Sequence, residues 1–394
     1  MTQTTVAAEA FERAFGDLDL EDVLALREGT AWRHFRATDP TRYRDLLSVA
    51  DLDAFLRTDA ARTPRVSMAD SSRKGSAGVP LHEFIDTMSD RVDLPKLLQR
   101  FDAGGTLVLS QFHDLHAPLA RFCRGLEKAF LHGVQSNIYL TPPGAQGFRP
   151  HFDTHDVIVL QVSGAKDWRV WDGTPFPVPT RRTPWNNQHE GLGEPNAVPM
   201  RPGDALYIPR GVIHDAAAQA TGEPSLHLTI GFLEPAYAEM LRDLIDSIEQ
   251  EEPLLRASLP TWRLADEDGI ARVAAALGPI AALLGRPELA ERLAVAALDR
   301  LSQDRLSLPG RGLTPPGPAP DQRMRLTDTM HHHIVPLPEG GAALRWQGGA
   351  ETLSEQELAW MELLEDGASA EELGEGGLQF LCRLAAPGLL EKAD

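Results

Sequence analysis

The distribution of apolar and polar positions divides this chain into segments of different character. Val157-Ile-Val-Leu-Gln-Val162 is apolar on consecutive positions, the pattern of a strand covered on both faces. Runs at Arg65–Met68, Thr106–Ser110, Asn137–Leu140, Lys166–Trp171, Ala205–Ile208 and Ser225–Phe232 also predict strands. Between them the apolar period lengthens. Residues 7–28 predict a helical entry segment, with Phe11, Ala14, Phe15, Leu18 and Leu20 on one side. Ser48 with Asp51 is a capping pattern ahead of Leu52, Phe55 and Leu56. Val92–Arg100 predicts a short helix, and Leu115–Phe130 an amphipathic one with Leu119, Phe122, Cys123, Leu126 and Phe130 aligned.

From Ala236 the strand signal stops. Met240 to Ile248, Ile270 to Leu284 and Leu289 to Leu301 form three helical stripes. Gly310–Asp321, GRGLTPPGPAPD, reads as a linker. Beyond it Ala342–Trp346 predicts a strand. Ser354 with Glu357 caps one helix that Gly367 ends, and Ser369 with Glu372 begins another. The expected organisation is therefore a mixed unit over 1–235, a helical unit over 236–309, a linker over 310–321 and a small terminal unit over 322–394.

Composition narrows the class of protein. The 394 residues are 42% hydrophobic and 24% charged, an ordinary globular balance. No stretch approaches the ~20 apolar residues that span a bilayer. The first residues lack a basic start and an apolar core, so no signal peptide is expected. Cys123 and Cys382 lie in apolar contexts and are expected to be buried thiols of a reducing, cytoplasmic compartment. The net charge of −19 repels nucleic acid, serves solubility and suits a basic protein or peptide partner.

The candidate chemistry lies in SNIYLTPPGAQGFRPHFDTHDVIVLQVSGAKDWRVW, Ser136 to Trp171. His151-Phe152-Asp153 is an H-x-D pair, and on a strand residues two apart share a face. An imidazole beside a carboxylate suits a divalent transition metal, and two His with one carboxylate form the facial set that leaves other positions open. Downstream, Pro202-Gly203 and Pro209-Arg210-Gly211 make turns around a short strand, a hairpin able to return His214 to the first pair.

At this point the sequence resembles a known family. Gly203-x5-Pro209-x4-His214 matches the second metal motif of the cupins, and Ser136–Trp171 is similar to the ribosomal-oxygenase branch of the JmjC-type oxygenases. The resemblance implies an α+β protein. Its core is a double-stranded β-helix (cupin or jelly roll), followed by an all-helical domain that forms a homodimer and a small winged-helix-like C-terminal domain. It implies Fe(II) held by His151, Asp153 and His214, and 2-oxoglutarate as cosubstrate. Lys166, fifteen positions after His151, stands where the family holds the distal carboxylate of 2-oxoglutarate. A Lys there resembles the histidine-hydroxylating members, whereas arginine hydroxylases tend to carry Arg. Asn137, Tyr139 and Thr229 fall on strands that line the cosubstrate pocket in the family.

The implied activity is hydroxylation of a side chain in a ribosomal protein or in a ribosomally made peptide. A free amino acid or small metabolite as substrate, and a cupin that only binds metal, remain alternatives. The acidic tail, Glu351 to Glu375, opposes the DNA binding that a winged helix otherwise suggests. His155 shares the parity of His151 and Asp153 and is a further group to place. So are the polar loop 69–78 and the proline-rich loop 173–200 with Arg181-Arg182, both expected to border the substrate entrance.

Overall fold

The computed structural model describes residues 5–393 apart from 181, 184–191, 221, 259–260, 262–266, 304–307 and 314–316. The chain divides into two compact units, Met1–Leu233 and Glu234–Asp394.

The first unit opens with α1 (Val6–Phe15) and α2 (Leu20–Glu28). The single helical segment expected over 7–28 is thus two helices. Gly16 ends the first with φ of 69°, and the Asp19 side chain accepts from Asp22 N to start the second. Then follow β1 (Arg33–Phe35), α3 (Val49–Leu56), β2 (Val66–Ala69), β3 (Ile85–Asp86), β4 (Arg91–Val92), α4 (Leu94–Asp102), β5 (Thr106–Ser110) and α5 (Ala117–Phe130). The barrel strands are β6 (Gly133–Thr141), β7 (Asp156–Ser163), β8 (Lys166–Val170), β9 (Asn196–Met200), β10 (Ala205–Ile208), β11 (His214–Ala218) and β12 (Ser225–Leu233). The Ser48–Asp51 capping box forms as expected.

One antiparallel sheet runs β1-β10-β7-β12-β6-β5-β2, and a smaller one runs β11-β8-β9. The apolar run on β7 shows how they are arranged. Ile158, Leu160 and Val162 join Ile138, Leu228 and Ile230 in a core with Leu119, Phe122 and Leu126 of α5. Val157 and Val159 point the other way, into a second core with Trp168, Val170, Val198 and Met200 of the smaller sheet. Both faces of β7 are covered, which is why its sequence does not alternate. The helices and the smaller sheet therefore occupy opposite faces of the large sheet, the layering of a double-stranded β-helix. Gly125 on α5 lets α1 lie close, since a Cβ there would stand 2.4 Å from the Val6 carbonyl oxygen.

The second unit contains α6 (Tyr237–Ile248), α7 (Glu267–Leu284), α8 (Pro287–Gln303), β13 (Met324–Leu326), β14 (His332–Pro336), β15 (Ala342–Trp346), β16 (Gly349–Leu353), α9 (Glu355–Asp366), α10 (Ala370–Leu373), α11 (Gly377–Ala385) and β17 (Leu390–Lys392). Leu244, Ile248, Leu283 and Leu289 form one cluster, and Leu344, Leu353, Leu364, Phe380 and Leu384 belong to another. The capping boxes at Ser354–Glu357 and Ser369–Glu372 are both present. In the stretch read as a linker, Gly310 N donates to the Gly388 carbonyl. One expectation fails. Cys123 is buried, but Cys382 is exposed. On α11 the inward stripe is Phe380, Leu381 and Leu384, and the helical period turns position 382 outward. On α7, Ile270 and Leu277 are 62% and 59% exposed. Among the described residues no single helix is long and apolar enough to cross a membrane.

Candidate metal centre

His151, Asp153 and His214 come together with ligand atoms all within 4.8 Å of one another. His151 Nδ1 lies 2.8 Å from the Arg149 carbonyl oxygen and His214 Nδ1 lies 3.0 Å from that of Val212. Each contact fixes the Nδ1–H tautomer and puts the ligating lone pair on Nε2. His214 Nε2 is 3.7 Å from Asp153 Oδ2. Burial, then the neighbouring His151, push the His214 pKa down to about 4, which keeps it in the neutral form that binds metal.

The means of assembly differs from the sequence argument. Residues 151–155 are not a strand. His151 instead makes an isolated two-way bridge with His214, its N donating to the His214 carbonyl at 3.0 Å and the His214 N returning at 2.8 Å. Gly211 N donates to the Asp153 carbonyl at 3.0 Å. Main-chain bonds from Gly211 and His214 therefore clip the H-x-D segment to this hairpin. Strand parity does not extend to His155, which leaves the cluster and places its Nε2 3.0 Å from Gln135 Nε2.

Beside the cluster is a cavity of about 150 Å³ whose walls include Tyr139, Lys166, Trp168, His227 and Thr229. Lys166 is only 4% exposed. Its Nζ donates to Thr141 Oγ1 at 3.0 Å and lies 3.4 Å from His227 Nδ1. Burial brings its pKa down to about 7. His227 is pushed well down by burial and by the Lys166 charge, and it stacks on Tyr139 with ring centroids 4.8 Å apart. A buried amine between neutral partners is a receptor for an anion. Tyr139 and Thr229, expected at the pocket, line it. Asn137 is not among the lining residues; its Oδ1 accepts from Gln111 N at 3.4 Å. Thr141 was missed, because nothing in the sequence marks a strand-end Thr as the neighbour of a Lys on another sheet.

A second missed group is Asp215. On β11 it faces away from His214 and pairs across the strands with Arg169, whose Nε donates to Oδ1 at 2.7 Å. Gln146 Nε2 donates to its Oδ2 at 3.2 Å. Gln146 sits in the loop that delivers His151, and its carbonyl accepts from Ser71 N. From the same loop Arg149 donates to the carbonyls of Ser71, Arg73 and Gly75. The polar loop 69–78 is thus tied to the metal motif. Asp215→Ala removes the carboxylate that accepts from the half-exposed Arg169 and one of the two acceptors of the Gln146 amide, which keeps the Phe148 carbonyl. We expect a loss of about 1–3 kcal/mol in urea unfolding, and weaker metal binding because the His151 loop loses its tie to β11 through Gln146. Of the loop 173–200, residues 181 and 184–191, Arg181 among them, lie outside the described residues.

A family model described as JmjC domain matches residues 108–240. Over 264 residues the chain is 32% identical to ribosomal oxygenase 2 of Bos taurus, across 62% of this chain and 55% of that protein. It is 34% identical over 206 residues to ribosomal oxygenase 1 of Homo sapiens, across 50% and 30% of the two chains. It is 39% identical over 155 residues to the bifunctional lysine-specific demethylase and histidyl-hydroxylase NO66 of Drosophila willistoni, across 37% and 20%. The matches span from about a fifth to about half of these relatives' own lengths. Among solved structures, Escherichia coli ycfD superposes with a TM-score of 0.56 at 17% identity, covering 95% of this chain and 98% of that one. The Escherichia coli ribosomal oxygenase YcfD with cobalt and 2-oxoglutarate gives 0.54 at 19%, covering 96% and 99%. At these identities the likeness is one of fold.

Proposed function

We propose that this chain, a member of the JmjC-type cupin and ribosomal-oxygenase family, is an Fe(II)- and 2-oxoglutarate-dependent oxygenase that hydroxylates a side chain of a protein or peptide. The observation that carries this is Lys166, a buried cation facing neutral groups in a cavity that also contains the two-His, one-carboxylate cluster. The donor set fits iron: His151, Asp153 and His214 would hold it, and the open side of a facial triad accepts a bidentate keto acid. With 2-oxoglutarate and O₂, such iron supplies an oxidant able to attack an unactivated C–H bond. The chain's own residues would do the rest. Lys166 and Thr141 would hold the distal carboxylate, Tyr139 and Thr229 would border the cosubstrate, and the apolar walls from Val157 and Val159 would exclude water.

The relatives' names favour a ribosomal protein as the substrate; a ribosomally made peptide is the second reading. The test is anaerobic titration of the Fe(II)-loaded protein with 2-oxoglutarate. A visible metal-to-ligand charge-transfer band supports the reading. Iron bound without such a band would leave a cupin that binds metal for another purpose.

We further propose a homodimer through the helical segment 236–309, with residues 322–394 as a winged-helix-like unit, and a cytoplasmic location on the cysteine content. The exposed Ile270 and Leu277 support self-association, since apolar side chains on one helix favour a covering surface. Ile270→Asp with Leu277→Asp is expected to convert a dimer to a monomer in light scattering, and an unchanged mass would refute that face.

A further inference from the structure

The inner face of the large sheet grades from closed to open. At one end Thr141, Gln161 and Ser225 are fully buried, with His227 and Lys166 close behind. Towards the other end Asn137, Gln135 and His155 are only half-buried. Register orders the rows between. Thr229 pairs with Asn137, and the next inner-face row sets Gly231 beside Gln135 on one side and Val157 on the other. Val157 and Thr229 both line the cavity, so this row lies at its outward edge.

Across this row His155 makes an unusual reach. It leaves the start of β7, passes over β12 and meets Gln135 of β6 at 3.0 Å. Gly231 makes the crossing possible. A Cβ there would stand 2.4 Å from His155 Cδ2 and Nε2, so any other residue would displace the ring. The amide nitrogen of Gln135 can only donate, so the imidazole accepts at Nε2.

We propose that the His155–Gln135 bridge over Gly231 is the specificity-determining edge of the substrate entrance, selecting an uncharged hydrogen-bonding side chain such as an imidazole or amide over a guanidinium or ammonium. This deepens the oxygenase reading and rests on it. The bridge offers neutral donors and acceptors beside the path to the metal cluster. Among the described lining residues the carboxylates are Asp153, a metal ligand, and Asp215, engaged by Arg169 and Gln146. Neither carboxylate is left to pair with a cationic side chain, whereas a neutral polar one finds partners in the amide and imidazole.

The test uses the full chain loaded with Co(II) and 2-oxoglutarate, and three blocked glycine-rich peptides identical but for a central His, Asn or Arg. Binding is read by saturation-transfer NMR and calorimetry. The 2-oxoglutarate titration reports separately on the cosubstrate site and on folding of each variant. Wild type is expected to bind the His and Asn peptides at least about tenfold more tightly than the Arg peptide. His155→Val and Gln135→Leu should each bring that ratio near one. Equal binding of the Arg peptide by wild type, a ratio that survives in both variants, or no binding of any peptide would overturn the proposal. Failure of wild type to take up 2-oxoglutarate would instead overturn the oxygenase reading.

Discussion

Asp153→Ala protein is expected to bind Fe(II) or Co(II) at least about a hundredfold more weakly than wild type, and to form no succinate from 2-oxoglutarate. Changes to groups that merely orient a ligand already cost ten- to a hundredfold in metal affinity, and Asp153 is the sole carboxylate of the cluster. Its loss removes the anionic donor and leaves two imidazoles. The fold should survive, because Asp153 is held through its carbonyl, by Gly211 N, and that bond involves no side-chain atom. Metal titration by calorimetry beside a thermal melt separates the outcomes. A variant that melts as wild type does and still binds metal at near wild-type affinity would remove Asp153 from the site.

Lys166→Met is expected to lose binding of 2-oxoglutarate while the protein becomes more stable. A charge-assisted contact to a buried carboxylate, once truncated, costs about 2 kcal/mol or more, roughly thirtyfold in affinity. Stability should move the other way. In the folded chain burial holds the Lys166 pKa down to about 7, against its ordinary 10.5. Between those values the unfolded chain binds the extra proton, so this group makes stability rise with pH from about 7 to 10.5. The Met variant should lack that slope and gain on the order of 1 kcal/mol at neutral pH, since a buried polar group gives way to an apolar one of similar length. Wild type should also take up 2-oxoglutarate less readily as pH rises above about 7, because only the ammonium form pairs with a carboxylate. Calorimetry with 2-oxoglutarate and melts across pH read all three. A destabilised Lys166→Met protein that binds 2-oxoglutarate normally would show the amine to be structural.

The sequence revealed the parts of the site that follow from local pattern. The H-x-D pair, the two turns before His214 and the Lys at its fixed offset each have a spacing, and the chain brings them together. The apolar run at Val157–Val162 announced a strand with both faces covered, and it is one. What local pattern could not show is partnership between strands. Asp215 and Arg169 are neighbours only because β11 and β8 pair in one register, and Thr141 meets Lys166 across two sheets. The strand argument also carried too far. It gave His155 the same facing as His151 and Asp153, but the segment from His151 to His155 follows the hairpin and not a sheet, and His155 turns to Gln135. Cys382 was misplaced for the reverse reason: its neighbours are apolar, yet a helix has an outer side.

The paired main-chain bonds between His151 and His214 have a consequence for metal choice. They set the ligand spacing by folding, so the chain presents a preformed chelator. Two imidazoles and one carboxylate are donors that Fe²⁺, Ni²⁺, Cu²⁺ and Zn²⁺ all accept, so ligand type leaves these ions in their intrinsic order. In that order Ni²⁺, Cu²⁺ and Zn²⁺ all stand above Fe²⁺. Selectivity for iron then rests outside the protein, in which ions the cell leaves accessible, and protein isolated without control of metal supply will carry whichever stronger competitor reached it first.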